Sequence, residues 1–208
     1  MKKVMFMVVA LVFMASNMNA QESSNKLHFG VKVGANYANV YDSQEADYDA
    51  GGKFGLAGGA FVSIPIGTYF GIQPELLFSQ RGFKASGTFL GSEVSLTRTS
   101  NYIDVPILFA VKPDDLVTIF LGPQYSYLIS QKDVVVNPIS DFEINQDFDT
   151  DNIRKNTLCL VTGFDVNLEP IVLSARVGWD LFDNNGDGTS TSNRYKNVWG
   201  QATVGFRF

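Results

Sequence analysis

From Leu27 to the end of the chain, apolar and polar positions alternate with a period of two, in runs long enough for the roughly 9 to 11 residues of a tilted membrane-crossing strand. Successive side chains of a strand point to opposite faces. Leu27, Phe29, Val31, Val33, Ala35 and Tyr37 therefore share one face, and His28, Gly30, Lys32, Gly34 and Asn36 the other. The same alternation returns near 53–65, 69–83, 99–112, 117–130, 156–168, 171–182 and from about 197 to the terminus, which predicts eight strands. Near 53–65 the apolar set is Phe54, Leu56, Ala60, Val62 and Ile64, against Lys53, Gly55, Ala57, Gly59 and Ser63. Near 117–130, Ile119, Leu121, Tyr125, Tyr127 and Ile129 oppose Thr118, Gln124, Ser126 and Ser130. In the last run Val198, Ala202, Val204, Phe206 and Phe208 oppose Asn197, Gln201, Thr203 and Arg207.

Connections between the runs alternate short and long. The short ones, Pro65-Ile66-Gly67-Thr68, Pro113-Asp114-Asp115 and Glu169-Pro170, carry turn-forming residues. The long ones fall at about 38–53, 84–98, 131–155 and 183–196. Barrels of the outer membrane have short periplasmic turns and longer external loops, so both termini are expected in the periplasm. The fold class that follows is all-β: an eight-stranded antiparallel up-and-down transmembrane β-barrel.

Alternation alone also fits a secreted, ligand-carrying barrel of the lipocalin kind, and the charges separate the two. Lys32, Lys53, Glu75, Arg81, Asp104, Lys112, Asp165, Arg176, Asp180 and Arg207 all fall on the polar face, and the central stretches of the other face carry none. A charge facing lipid at the bilayer midplane costs about 2–4 kcal/mol. An eight-stranded barrel is just wide enough for its inward side chains to fill it, so these groups are expected to pair as a lumen charge network rather than line an open channel. Tyr37, Tyr69, Tyr125, Tyr127, Trp179 and Trp199 lie toward strand ends, where an aromatic girdle would meet the headgroups.

Composition agrees with a wall in lipid: 45% of the 208 residues are hydrophobic and only 18% charged, below the roughly 25% charged of soluble domains. A net charge of −5 with no basic stripe argues against nucleic acid as a partner. Residues 1–20 read as a signal peptide, with basic Lys2 and Lys3, an apolar run from Val4 to Ala15 and small residues before Gln21. The barrel domain is then residues 21–208.

Gln73-Pro74-Glu75-Leu76-Leu77-Phe78-Ser79-Gln80-Arg81-Gly82 and Tyr102-Ile103-Asp104-Val105-Pro106-Ile107-Leu108-Phe109 resemble the paired strand motifs of the PorT-like outer-membrane β-barrel proteins of Bacteroidetes. The terminal Val204-Gly205-Phe206-Arg207-Phe208 is similar to the signal read by the barrel-assembly machinery, with Phe206 and Phe208 as its aromatics. The resemblance covers the mature chain and implies a small barrel of the OmpA/OmpX type. It brings no catalytic residues, and it implies, as an alternative role, a barrel component of a secretion or gliding complex of the type IX kind.

Candidate sites are few. Asp183, Asn185, Asp187 and Gly188 match the first half of a calcium loop, but Arg194 stands where the bidentate carboxylate belongs. The segment reads as a polar hairpin loop. Acidic residues at Asp42, Glu45, Asp47, Asp49, Asp141, Glu143, Asp147, Asp149 and Asp151 suit solvated external loops, which could share divalent cations with lipopolysaccharide. An enzyme needs a nucleophile, a base and an orienting group. His28, the single histidine, sits at the start of the first strand, and Cys159, the single cysteine, reads as a small buried filler. The expectation is a non-catalytic barrel without cofactor, embedded in outer-membrane lipid, with a structural or surface-interaction role and possible protein partners at its external loops.

Overall fold

The computed structural model describes residues 26–41, 49–89, 92–137, 140–144, 153–184 and 195–208. The signal peptide expected at 1–20, the acidic positions 42–47 and 147–151, and Asn185 and Asp187 of the calcium candidate lie outside them. The described chain forms β1 (His28–Tyr41), β2 (Asp49–Ile66), β3 (Phe70–Phe89), β4 (Ser92–Val111), β5 (Val117–Asn137), β6 (Ser140–Ile144), β7 (Asn156–Leu168), β8 (Ile171–Asp180) and β9 (Lys196–Arg207). Every pairing is antiparallel. β1 pairs with both β2 and β9, β4 pairs with β5, and β5 pairs with β7, so eight strands close into a barrel. β6 stands outside that ring and pairs with the far end of β5 alone. Closure leaves no unpaired edge where the wall meets lipid, which is what permits a sheet to cross a membrane.

The short turns all lie at one end, called here the turn end, beside the start of β1 and the end of β9. In the first, Gly67 takes φ +70°, a left-handed conformation that favours glycine. Glu169-Pro170 is a cis peptide. The opposite, loop end departs from expectation. β3 and β4 continue through most of the segment expected as a loop at 84–98, and β5 and β6 through part of 131–155. β3, β4 and β5 have 20, 20 and 21 residues, twice what a bilayer requires. Beyond the apolar band their outer face turns polar, as in Lys84, Thr97 and Lys132, so the run loses its hydrophobic signature while the backbone pairing continues.

Two irregularities reset the alternation. Asn101 pairs with Ser130 but Tyr102 pairs with Leu128, so β5 holds one extra residue at Ile129. Such a bulge shifts the phase of the strand. Before it the even residues Gln124, Ser126 and Leu128 are buried; after it Gln131 and Asp133 are buried and Lys132 is exposed. A second shift lies in β2 between Gly52 and Ala57.

Candidate functional site

Alternation sends the polar face inward, and the lumen is packed with side chains. Arg81, Phe120, Leu108, Gln73, Val172, Asn36, Asp104 and Asp165 are all less than 2% exposed. The outer wall shows Val33, Leu56, Leu76, Ile107, Phe109, Leu121 and Val204. A solvent-facing wall of that kind would aggregate, whereas lipid accepts it.

Inside, the charges fall into two layers with different logic. In the layer nearer the turn end, Lys32 Nζ lies 2.6 Å from Glu75 Oε2, Arg176 lies 3.4 Å from Glu75 Oε1, and Arg176 Nη1 lies 2.9 Å from Asp165. Gln73 Nε2 donates to Glu75 at 2.8 Å. The Arg176 guanidinium stacks 4.2 Å from the Phe120 ring, and Lys32 sits 5.5 Å from that of Phe61. In the next layer Arg81 is bound directly by Asp104 and lies 3.8 Å from Asp180. Its guanidinium is held between Trp199, at 3.5 Å, and Tyr102, at 4.7 Å. Asp180 also accepts from Asn197 Nδ2 at 2.6 Å and from Cys159 Sγ at 3.1 Å. Asn36 ties this layer together, donating to Ser79 at 2.8 Å and accepting from Gln201 at 2.9 Å.

Glu75 and Asp104 are engaged separately: Glu75 takes Lys32 and Arg176, while Asp104 takes Arg81. At the turn end Arg207 donates to Asn167 at 2.6 Å and reaches Glu169 at 3.7 Å. Lys112 is half-buried at the same rim. Lys53 departs from expectation: it makes no ion pair within the lumen layers but donates from Nζ to Thr99 Oγ1, following the register shift in β2.

Trp199 does not join the girdle. It is 2% exposed and packs inside on Arg81. Its parity with Asn197 and Gln201, both inward, was the available signal. Gly178 makes room for it, since a Cβ there would come within 2.3 Å of the indole. Tyr37, Tyr69, Tyr125 and Tyr127 do remain exposed on the outside. Phe61, Phe83, Tyr102, Phe120 and Tyr195 are further inward aromatics that a search for charged residues passes over.

Past the bulge at Ile129 a third cluster forms beyond the two lumen layers. Arg98 donates to both carboxylate oxygens of Asp133, at 2.8 and 2.6 Å, and to the Tyr195 hydroxyl at 3.0 Å. Phe83 packs edge-on to Tyr195 with centroids 5.2 Å apart, and Val40, Ala85 and Leu96 complete a small apolar cluster. Burial holds the Tyr195 phenol above its ordinary pKa, and the hydrogen bonds to Asp133 raise that of Arg98.

A closed antiparallel barrel with a charged, filled interior and an apolar belt is the architecture of a bacterial outer-membrane protein. Residues 19–185 match the family described as Outer membrane protein beta-barrel domain. The chain belongs to that family.

Among solved structures, the barrel is similar to Neisserial surface protein A (NspA), at 15% identity over 86% of this chain and 97% of that one, with a TM-score of 0.49. It is also similar to Ail, the attachment invasion locus protein of Yersinia pestis (13%, 87% and 98%, TM-score 0.46), and to OprG from Pseudomonas aeruginosa (11%, 87% and 95%, TM-score 0.41). No curated protein matches the sequence. As an outer-membrane barrel, the protein presents two surfaces outside the lipid belt, the turn-end rim and the loop-end extension.

The loop-end rungs of the wall formed by β3, β4 and β5 can be read from the register. Phe78, Ile103 and Tyr127 align as an apolar rung. Next come Gln80, Asn101 and Ser130, linked in a row by hydrogen bonds of 3.0 and 2.8 Å. Then Gly82, Thr99 and Lys132 align, followed by Lys84, Thr97 and Val134. The outer surface of this wall therefore changes from apolar to amide and hydroxyl, and then to cationic, within three rungs. Asp183 of the calcium candidate lies 3.9 Å from Lys196, and Arg154 Nε donates to its backbone carbonyl at 2.9 Å. No group of three or more metal-ligating side chains occurs among the described residues.

Proposed function

We propose that this outer-membrane barrel is non-catalytic, with both termini in the periplasm, and acts by presenting its loop-end extension at the cell surface to outer-membrane lipid and to protein partners. The observation that carries the reading is the doubled length of β3, β4 and β5, which extends a paired and internally packed sheet beyond the lipid belt at one end only. The Arg98–Asp133–Tyr195 cluster gives that extension its own small core. Inside the barrel, the buried carboxylates are engaged by cations and amides and Cys159 is enclosed, which supports a structural use of the interior. The strand motifs at 73–82 and 102–109 favour a PorT-like relative, and the terminal Phe206 and Phe208, whose rings meet at 5.2 Å, suit a strand recognised by the assembly machinery.

The test is cysteine labelling of intact cells in a Cys159→Ser background. A cysteine at Thr97, on the extension, is expected to react with a membrane-impermeant maleimide, and one at Asp114, in a turn, only after lysis. The reverse pattern would overturn the orientation. Gentle solubilisation then distinguishes a barrel recovered alone from one recovered with stoichiometric subunits of a secretion or gliding complex.

A further inference from the structure

We infer that the Arg81 layer of the lumen is a proton-binding site, in which Asp104 and Asp180 hold one proton between them along a hydrogen-bonded chain through Ser126 and Cys159. This goes beyond the surface reading above and stands on the interior alone.

Charge balance is the first argument. The layer nearer the turn end is neutral, with Lys32 and Arg176 against Glu75 and Asp165. The loop-end cluster is neutral as well, with Arg98 against Asp133. Between them Arg81 meets two carboxylates, Asp104 and Asp180, and among the described residues no second cation lies within ion-pair distance of either. Arg81, Asp104 and Asp180 are only 1%, 1% and 4% exposed, so the surplus negative charge is shut away from water. A buried charge without a partner neutralises by taking up a proton. The other titratable groups facing the pair are the Tyr102 phenol of β4, the Cys159 thiol of β7 and the Tyr195 phenol just before β9. β5 contributes the neutral Ser126 and Gln124, and β9 the neutral Asn197. Phenols and thiol are already protonated at neutral pH, which leaves the two carboxyls to carry the extra proton.

Geometry is the second argument. Cys159 Sγ lies 3.1 Å from Asp180 Oδ1 and 3.4 Å from Ser126 Oγ, and the Ser126 hydroxyl is hydrogen-bonded to Asp104. A hydroxyl and a thiol each donate on one side and accept on the other. With the proton on Asp104, its O–H donates to Ser126, Ser126 donates to Cys159, and Cys159 donates to the Asp180 carboxylate. Passing each hydrogen one bond along leaves Asp180 protonated and donating to Cys159, Cys159 donating to Ser126, and Ser126 donating to the Asp104 carboxylate. Ser126 and Cys159 are neutral in both arrangements, and Arg81 faces whichever carboxyl is ionised. Cys159 is thus a link in the chain as well as a filler.

The site is tested by infrared difference spectroscopy on the full barrel, folded in detergent micelles at neutral pH, with heat-modified gel mobility verifying the fold of each variant. Wild type is expected to show the carbonyl stretch of a protonated carboxyl, above the amide band. Asp104→Asn and Asp180→Asn should each abolish it, because Arg81 then matches the one carboxylate left, whereas Asp165→Asn in the neutral layer retains it. Cys159 is the single cysteine, so the S–H stretch reports this one position. It should move in Asp104→Asn, which reaches the thiol only through Ser126; an unmoved S–H stretch overturns the chain. The folded barrel then holds one proton more than the unfolded chain, whose aspartates are ionised above about pH 4, so its stability falls as pH rises. From about pH 6 to about pH 8 the unfolding equilibrium constant in urea is expected to climb about tenfold per pH unit relative to Asp180→Asn; His28 titrates in both proteins and cancels. Absence of the carboxyl band from folded wild type overturns the site without recourse to any variant, and a band that survives both substitutions belongs to another carboxyl and overturns it equally. A missing band together with an unfolding midpoint that follows sodium at constant ionic strength would assign the surplus charge to a metal cation instead.

Discussion

The two charged layers of the lumen solve one problem in opposite ways. Nearer the turn end, Glu75 is shared by Lys32 and Arg176, and Arg176 is shared by Glu75 and Asp165. Each ion in the chain of contacts Lys32–Glu75–Arg176–Asp165 has a neighbour to fall back on, except at the two ends. In the next layer a single cation, Arg81, serves both Asp104 and Asp180, and two aromatic rings fix its plane. The Ser79 and Ser126 hydroxyls at Asp104, and the Asn197 amide and Cys159 thiol at Asp180, make up the difference there. One layer is redundant and the other depends on one residue, although both use side chains of the same kinds at similar burial.

Removing Arg81 is therefore expected to have the largest effect. Arg81→Met leaves the buried Asp104 and Asp180 without their cation, and loss of one member of a buried pair costs about 3–5 kcal/mol. Urea unfolding in micelles, followed by the heat-modifiable band, should show a correspondingly lower midpoint; an unchanged midpoint would mean that the neutral partners, Asn197 and Cys159 at Asp180 and Ser79 and Ser126 at Asp104, carry the two carboxylates by themselves. Next comes the lipid face opposite: Ile107→Arg, in the apolar band, should cost about 2–4 kcal/mol in a bilayer. In Lys32→Met, Glu75 retains Arg176, so the loss is expected near that of one charged hydrogen bond, about 1.5–3 kcal/mol. If Lys32→Met proved as damaging as Arg81→Met, the redundancy of the lower layer would be disproved. The smallest effect is expected from Arg98→Lys. It keeps a cation beside the buried Asp133 and loses one arm of the bidentate grip, for about 1 kcal/mol, and should leave the midpoint of the barrel almost unmoved.

Which residues face inward was legible in the sequence wherever the strand kept its phase. Lys32, Glu75, Arg81, Asp104, Asp165, Arg176 and Asp180 lie on the face that period-two counting assigns them. The failures sit beside the bulges. Ser130 counts as inward by parity with Ser126, yet it lies in the outer amide row, because Ile129 is an extra residue and the phase changes there. Lys53 misses the lumen layers next to the shift in β2. A bulge adds one residue without changing the hydrophobicity of its neighbours, so nothing in the local pattern announces it. Trp199 differs in kind: its parity with Asn197 and Gln201 places it inside, on Arg81, against the general preference of tryptophan for interfaces. The length of β3 to β5 was hidden for a third reason. Strand pairing outside lipid needs no apolar face, and alternation is visible only where one is present.

Closure of the ring brings the two ends of the described barrel into contact: Phe208 donates its backbone N–H to the carbonyl of Phe29 at 2.8 Å, and β1 and β9 lie side by side along their length. The order in which the strands are strung is thus separable from the order in which they pair. A few residues joining Phe208 to His28, with new ends opened at Gly67, would give a circularly permuted chain that starts at β3 and finishes at β2. Its final strand would then be β2, so the permutant would fold to the same cylinder in detergent while offering the assembly machinery of the cell a different last strand to read.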